Sequence, residues 1–324
     1  MKLLNRSAIS KILSDSPEIV RPSVIETYES LHRGVSISAK TTFLAIPKDS
    51  LARFVSLPAH VASAKGPIAA GAKWVSNFRD NVARGLPPLN TLLLLSETDT
   101  GAPLACMEGS ELNLRRTAAS AFLVAERFNF DPKDGPIGIV GAGALAEAFC
   151  AELIQTYSSV HSVQVSDILP DRATDLVGRL LDNGVKATVE TTKQILQNAS
   201  IIILCTSAES PWIDVEMMPT DRRMILHISA DDLPSEYFSR VINVTDRVTD
   251  VASLPVSLGR AIAEGLDSTE ILELPALLEG EPISTSRPVV FSPFGLSVLD
   301  IALAERVFRI AESTGAGIAW DHRG

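Results

Sequence analysis

The chain has 324 residues, 46% hydrophobic and 21% charged, which is enough for two domains with separate cores. Its 29 Lys and Arg against 39 Asp and Glu give a net charge of −10, which excludes capture of nucleic acid by a broad basic surface, because such binding works by releasing counterions from phosphates. No apolar run approaches the roughly 20 residues that span a bilayer, and Met1 to Ser7 lack the charged-then-apolar run of a secretory signal, so a cytosolic protein without membrane contact is expected.

Residues 7–33 carry helical spacing, with Ser7 as N-cap, apolar Ile9, Ile12, Leu13, Val24, Ile25 and Leu31, and Pro17 and Pro22 as points of division. Short strands follow at 42–46, 52–57, 70–75, 91–95 and 104–107, and Glu97-Thr-Asp-Thr-Gly101 reads as a hairpin loop, so this part is expected to be an antiparallel α+β layer. A long helix begins at Ser110. Composition then changes at Asn129-Phe-Asp-Pro-Lys-Asp-Gly135, which marks a boundary. Beyond it, wholly apolar strands at 137–140, 162–166, 187–190, 201–205, 224–228 and 241–244 are interleaved with helices, the pattern of a parallel sheet covered on both faces. A last amphipathic helix covers 295–313. Cys106, Cys150 and Cys205 have no C-x-x-C spacing and read as small core residues.

The sharpest motif is Ile137-Gly-Ile-Val-Gly141-Ala142-Gly143-Ala144-Leu145-Ala146, a buried strand turning through G-x-G-x-x-A into a helix. Gly141 allows the tight turn, Gly143 lets a pyrophosphate approach the backbone at the positive end of the helix, and Ala146 lets helix and strand pack closely. The next strand ends in Asp167, 24 positions after Gly143, where an acid grips the ribose hydroxyls and repels a 2′-phosphate. This favours NAD over NADP, with Arg172 near enough to keep the question open. Thr206 and Ser207 follow a buried strand, at the edge where such sheets present loops to the cofactor. His60, His161, His227 and His322 are scattered without metal-ligand spacing, and no metal is expected.

The glycine motif near residue 140, preceded by an α+β layer and a long helix, comes with three further strings. These are Lys73-Trp-Val-Ser, Leu114-Arg-Arg-Thr-Ala-Ala-Ser120 and Phe291-Ser-Pro-Phe-Gly-Leu-Ser-Val-Leu-Asp300. With them the chain resembles the ornithine cyclodeaminase/μ-crystallin family over nearly its whole length. Ala83-Arg-Gly-Leu-Pro87, Cys106-Met-Glu-Gly-Ser110 and His227-Ile-Ser-Ala-Asp-Asp-Leu233 are most similar to the branch that makes 2,3-diaminopropionate for siderophores and peptide antibiotics. The resemblance implies an α/β protein: a Rossmann-type doubly wound parallel sheet over 119–292, plus an α+β dimerisation and substrate-binding domain from 1–118 and 293–324. It further implies a homodimer and NAD-linked oxidation of N-(1-amino-1-carboxy-2-ethyl)-glutamate to an imine, which hydrolyses to 2,3-diaminopropionate and 2-oxoglutarate.

By the same resemblance the family's carboxylate-binding Lys falls on Lys73, its Arg on Arg116 and its acid/base Asp on Asp232, with Asp231 beside it. Asp232 follows the strand at 224–228, on the carboxyl edge of the sheet, and is expected to take a proton from the substrate nitrogen. Two positions depart from the cyclodeaminases. Lys40 stands for their Arg on the first strand, and Val55 for the Glu of ornithine-specific members, while Arg53 adds a cation. Lys40, Arg53, Lys73 and Arg116 are therefore the candidates to hold a substrate richer in carboxylates than ornithine. Cyclodeamination, alanine dehydrogenation, ketimine reduction and non-catalytic dinucleotide binding stay open.

Overall fold

The computed structural model describes residues 1–46 and 49–321. Chain order runs β1 (Lys2–Leu4), α1 (Arg6–Asp15), α2 (Val20–His32), β2 (Ile37–Ser38), β3 (Thr42–Ile46), β4 (Asp49–Ser63), β5 (Gly66–Asn77), β6 (Leu89–Ser96), β7 (Pro103–Glu108) and α3 (Ser110–Arg127). It continues with β8 (Ile137–Val140), α4 (Ala144–Thr156), β9 (Val163–Ser166), α5 (Pro170–Asp182), β10 (Ala187–Val189), α6 (Thr192–Asn198), β11 (Ile201–Leu204), β12 (Met224–His227), β13 (Ile242–Thr245), α7 (Val248–Val251), α8 (Ser257–Ala263), β14 (Leu272–Glu273), α9 (Leu274–Glu279), β15 (Val289–Phe291), α10 (Ser297–Thr314) and β16 (Ile318–Ala319). Two compact units result: Met1–Thr117 with the chain from Leu296, and Ala118–Gly295.

The divide falls inside α3, not in the loop at 129–135. Phe122 in the second half of α3 meets Phe149 and Tyr157 at centroid distances of 5.6 and 5.5 Å, edge to face, which commits that half of the helix to the second unit.

In the first unit, an eight-stranded sheet has the order β16-β1-β7-β6-β5-β4-β2, with β3 also paired to β4. It is antiparallel except where β1 runs parallel to β7, a short strand that composition does not reveal. The N-cap of α1 is Asn5, which accepts from Ala8 N, and not Ser7. The helix expected over 7–33 breaks at Ser16-Pro17, whereas Pro22 sits in the first turn of α2, where its missing N–H costs nothing. One sheet face buries Leu57, Val61, Leu93 and Leu95 under α10, whose residues from Ser297 to Ala304 are all buried. Strict alternation puts Trp74, Leu92 and Leu94 on the other face, each exposed by 42–50%. An uninterrupted Leu92–Leu95 run on one strand is the pattern of a sheet covered on both sides.

In the second unit all eight strands run parallel in the order β10-β9-β8-β11-β12-β15-β13-β14, with β8 at the switch point between the two halves. This is the doubly wound arrangement, with ligands expected outside the carboxyl ends of β8 and β11. The strand β15 and helix α6 are additions to the elements read above; α6 carries a complete capping box, Thr191 with Gln194. No helix is long and apolar enough to cross a membrane among the described residues.

Candidate active site

At the carboxyl end of β8 the chain must turn sharply into α4. Gly141 does so with φ +94, and a Cβ there would stand 2.7 Å from the Cys205 carbonyl oxygen, so both the dihedral and the close approach of β11 demand glycine. Gly143 is the N-cap of the 13-residue α4, and a Cβ added to it would meet no atom within 4 Å. The space before it is the floor of a cavity of about 530 Å³ whose wall includes Gly141, Gly143, Asp167, Thr206 and Ser207. Ala142, Ala144 and Leu145 support this wall without joining it. Ala142 gives its N–H to Asp167 Oδ2 at 2.7 Å, and Ala144 and Leu145 form the first turn of α4. The second Asp167 oxygen accepts from Leu169 N at 2.8 Å. Each carboxylate oxygen keeps a lone pair for a ribose hydroxyl. Arg172 and Trp212 also line the cavity, and Ile168, 93% exposed, gives its mouth an apolar edge. A helix N-terminus, an open glycine floor and an acid beside it fit a dinucleotide.

Asp232 is at the carboxyl edge of the sheet, as its sequence position requires, but its side chain is fully buried. Oδ1 accepts from Trp212 Nε1 at 2.5 Å and from the Thr206 hydroxyl, and Oδ2 accepts from Ser229. His227 accepts from the Asp232 amide at 3.2 Å, and burial pushes its imidazole down to about 4, so it is neutral near pH 7. Asp231 is held by Arg260 at 2.7 Å. Cys150 is buried, but Cys106 and Cys205 are half-buried, and Cys205 belongs to the cavity wall and not to the core.

Lys73 on β5 and Arg116 on α3 come together in the first unit, both 5% exposed. Between them stands Asp300 of α10, with no exposed area, bonded to Lys73 Nζ at 2.5 Å and to Arg116 Nε at 3.1 Å. Asn113 closes the ring: its Oδ1 accepts from Lys73 at 3.0 Å and from Arg116 at 2.6 Å. Burial lowers the Lys73 ammonium from its ordinary value, against the raising effect of Asp300, and Arg116 lowers it further. Asp300 and Asn113 are ring members that the sequence motifs alone do not single out. Their signal is present all the same: Asp300 is an acid inside Val298-Leu-Asp300-Ile-Ala-Leu, and Asn113 is one turn before Arg116 on the same helix face. Lys40 and Arg53 are exposed and stand outside this ring. Arg53 shares the sheet face of Lys73, four positions along or about 13 Å, with its guanidinium 5.9 Å above the Phe43 ring.

Among the described residues no group of three His, Cys, Asp or Glu is placed to hold a metal ion, and His322 lies outside them.

The profile of the ornithine cyclodeaminase/mu-crystallin family matches residues 14–315. The chain belongs to this family. Among relatives in the ornithine cyclodeaminase/mu-crystallin family, the N-((2S)-2-amino-2-carboxyethyl)-L-glutamate dehydrogenase of Staphylococcus aureus is 23% identical over 277 residues, covering 82% of this chain and 81% of its own. An archaeal alanine dehydrogenase dimer solved with bound NAD superposes with a TM-score of 0.89 at 20% identity, covering 99% of both chains. The Delta(1)-pyrroline-2-carboxylate reductase of Thermococcus litoralis, solved with NADH and L-proline, superposes with a TM-score of 0.88 at 24% identity, over 99% of this chain and 100% of its own. These likenesses extend to the whole α/β architecture of the family.

Proposed function

We propose that the protein oxidises the C–N bond of N-(1-amino-1-carboxy-2-ethyl)-glutamate with NAD, giving an imine that water converts to 2,3-diaminopropionate and 2-oxoglutarate. More coarsely, it is an enzyme, an NAD-dependent oxidoreductase acting on a small amino-acid substrate. Bound NAD supplies the hydride acceptor. Gly141, Gly143 and Asp167 hold the dinucleotide, with Thr206 and Ser207 along the cavity wall.

The observation that carries the substrate class is the buried ring in which Lys73 and Arg116 both bond Asp300, gathering two cations at one place suited to a substrate carboxylate. Lys73 and Arg116 bind that group, while Asp300 and Asn113 keep both cations in place. Lys73, with its lowered pKa, is also the group suited to pass a proton. The antiparallel register puts Val55 and Arg53 on the sheet face of Lys73, so this face offers no carboxylate for a substrate amine and one further cation for a second carboxylate. Exposed Lys40 is the remaining candidate. Support for the glutamate conjugate over other amino acids also comes from the Staphylococcus aureus relative.

Purified protein with NAD is to be offered the conjugate, ornithine, lysine and alanine, with NADH absorbance and product mass recorded. The conjugate should give NADH and 2,3-diaminopropionate in equal amounts. Proline from ornithine, with no NADH from the conjugate, would overturn the reading.

The same reading includes a homodimer formed through the outer sheet face that bears Trp74, Leu92 and Leu94, since an apolar sheet face of this kind marks an association surface. Leu94→Glu is expected to halve the mass seen by light scattering. A wild type that is already monomeric would remove the dimer from the proposal.

A further inference from the structure

We infer that Arg260 of α8 is a positioning residue for Asp232, acting through Asp231 and the turn that follows β12; this rests on Asp232 as the group that takes the proton in the proposed oxidation. The Asp232 carboxylate stands beside the cofactor cavity, since its Oδ1 accepts from Trp212 Nε1 and from the Thr206 hydroxyl, and both residues belong to the cavity wall. A proton acceptor has to be held at one place, because a displacement of about 1 Å can cost about 10²-fold in rate.

The turn that delivers Asp232 does not hold itself. Ala230 has φ +71, a left-handed setting that a residue with a Cβ seldom adopts and that persists only where surrounding bonds impose it. Two bonds from the first turn of α8 do so. Ser257 N, an amide that the helix itself leaves without an acceptor, donates to the Ala230 carbonyl at 2.9 Å, and Arg260 Nη2 donates to Asp231 Oδ1 at 2.7 Å. Residues three apart share a helix face, so both reach the same turn. The guanidinium is braced in its own right, with Nη1 donating to the Pro255 carbonyl at 2.6 Å and Nη2 to the Ser257 hydroxyl at 3.3 Å. Ser257 and Leu258 are buried, so the clamp has a fixed base. From the strand side, the Asp232 amide donates to His227 Nε2 at 3.2 Å, and His227 Nδ1 stands 3.0 Å from the Ser292 hydroxyl.

Arg260 and Asp231 are not among the described residues of the cavity wall, so their influence on the reaction runs through the place of Asp232 and not through the cofactor. With the full-length protein, NAD and the glutamate conjugate, Arg260→Met and Asp231→Ala should each lower kcat about 10²-fold, with the KM for NAD and the stoichiometry of NADH binding unchanged. The double variant should lose no more than either single one, since all three remove the same tie. Arg260→Lys keeps one charged donor for Asp231 and should recover about tenfold of the lost turnover. The solvent deuterium isotope effect on kcat should rise in Arg260→Met, because only the proton step is slowed. A partly unfolded preparation would instead lower the NADH stoichiometry and leave the isotope effect at its wild-type value.

Wild-type kcat in Arg260→Met, losses that multiply in the double variant, or an unchanged isotope effect would overturn the inference. Should Arg260→Met not fold, Asp231→Asn keeps the shape of the side chain, removes its charge and is read in its place. Asp232→Asn with wild-type turnover would take Asp232 out of the chemistry, and the role of Arg260 with it. A wild type that forms NADH with none of the amino acids offered would sink the proposed oxidation itself.

Discussion

Asp300→Asn is expected to lower stability by about 3–5 kcal/mol near neutral pH, because it removes the carboxylate that buried Lys73 and Arg116 share. The loss has a pH signature. Burial already holds Lys73 below its ordinary 10.5, and Asp300 is the group that raises it. Without Asp300 the folded-state value falls further, while the unfolded chain keeps the ordinary one. Between the two values the unfolded state binds more protons, so the stability of the variant rises with pH. Urea denaturation at about pH 7 and about pH 9 should therefore show the gap from wild type narrowing at the higher pH. A gap that stays constant would mean that Lys73 does not titrate against Asp300. Activity should fall more than stability suggests, by about 10²-fold in kcat/KM, since the two cations lose the acid that sets their spacing. Replacing Lys73 as well, by Met, should recover part of the lost stability, since Arg116 still lacks Asp300, and should not recover turnover.

Gly141→Ala should abolish measurable NADH binding, and Gly143→Ala should do the same by a different route. At Gly141 a side chain meets both a positive φ and the Cys205 backbone 2.7 Å away, so the turn itself must shift. The dihedral alone costs about 1–2 kcal/mol. At Gly143 the backbone is extended and the Cβ has open space, so the unliganded fold is undisturbed while the methyl occupies the cavity floor. The expected contrast is a lowered melting temperature for Gly141→Ala and an unchanged one for Gly143→Ala, with both variants blind to NADH in calorimetry. Tight NADH binding by Gly143→Ala would show that the floor is not where the pyrophosphate lies.

The parallel sheet is legible because its strands are short, mostly apolar runs bounded by turn residues: Ile137–Val140, Ile201–Leu204 and Met224–His227 stand within a residue of the expected limits. The glycine turn was legible for a related reason, since a positive φ against neighbouring backbone leaves one residue type able to occupy the position. Other features left no local trace. Lys2–Leu4 is too short for periodicity, and its pairing with Pro103–Glu108 is a contact across a hundred residues of chain. Sequence spacing puts the N-cap at Ser7, two residues past Asn5, because both are equally able acceptors and only the geometry of the folded chain chooses. Lys73 and Arg116 could be singled out as cations in apolar strings, but the acid that makes them tolerable lies 184 positions beyond Arg116, and no spacing rule links them. For Asp232 the sequence indicates an edge of the sheet and leaves open whether the carboxylate faces outward or is consumed by neighbouring donors.

The helix α10 lies over the sheet of the first unit, yet it is made from residues 297–314, after the whole of the second unit. Synthesis therefore delivers the second unit, a continuous segment with adjacent strand partners, before the first can close its core. Until then Leu57, Val61, Leu93 and Leu95 lie on a sheet with no lid, and the face bearing Trp74, Leu92 and Leu94 is bare as well. For some 200 residues of elongation the nascent chain carries a two-sided apolar sheet, the state most open to wrong partners and to chaperones. The earliest-made part of the molecule is thus the last to become native, and the nucleotide-binding half can mature while it waits.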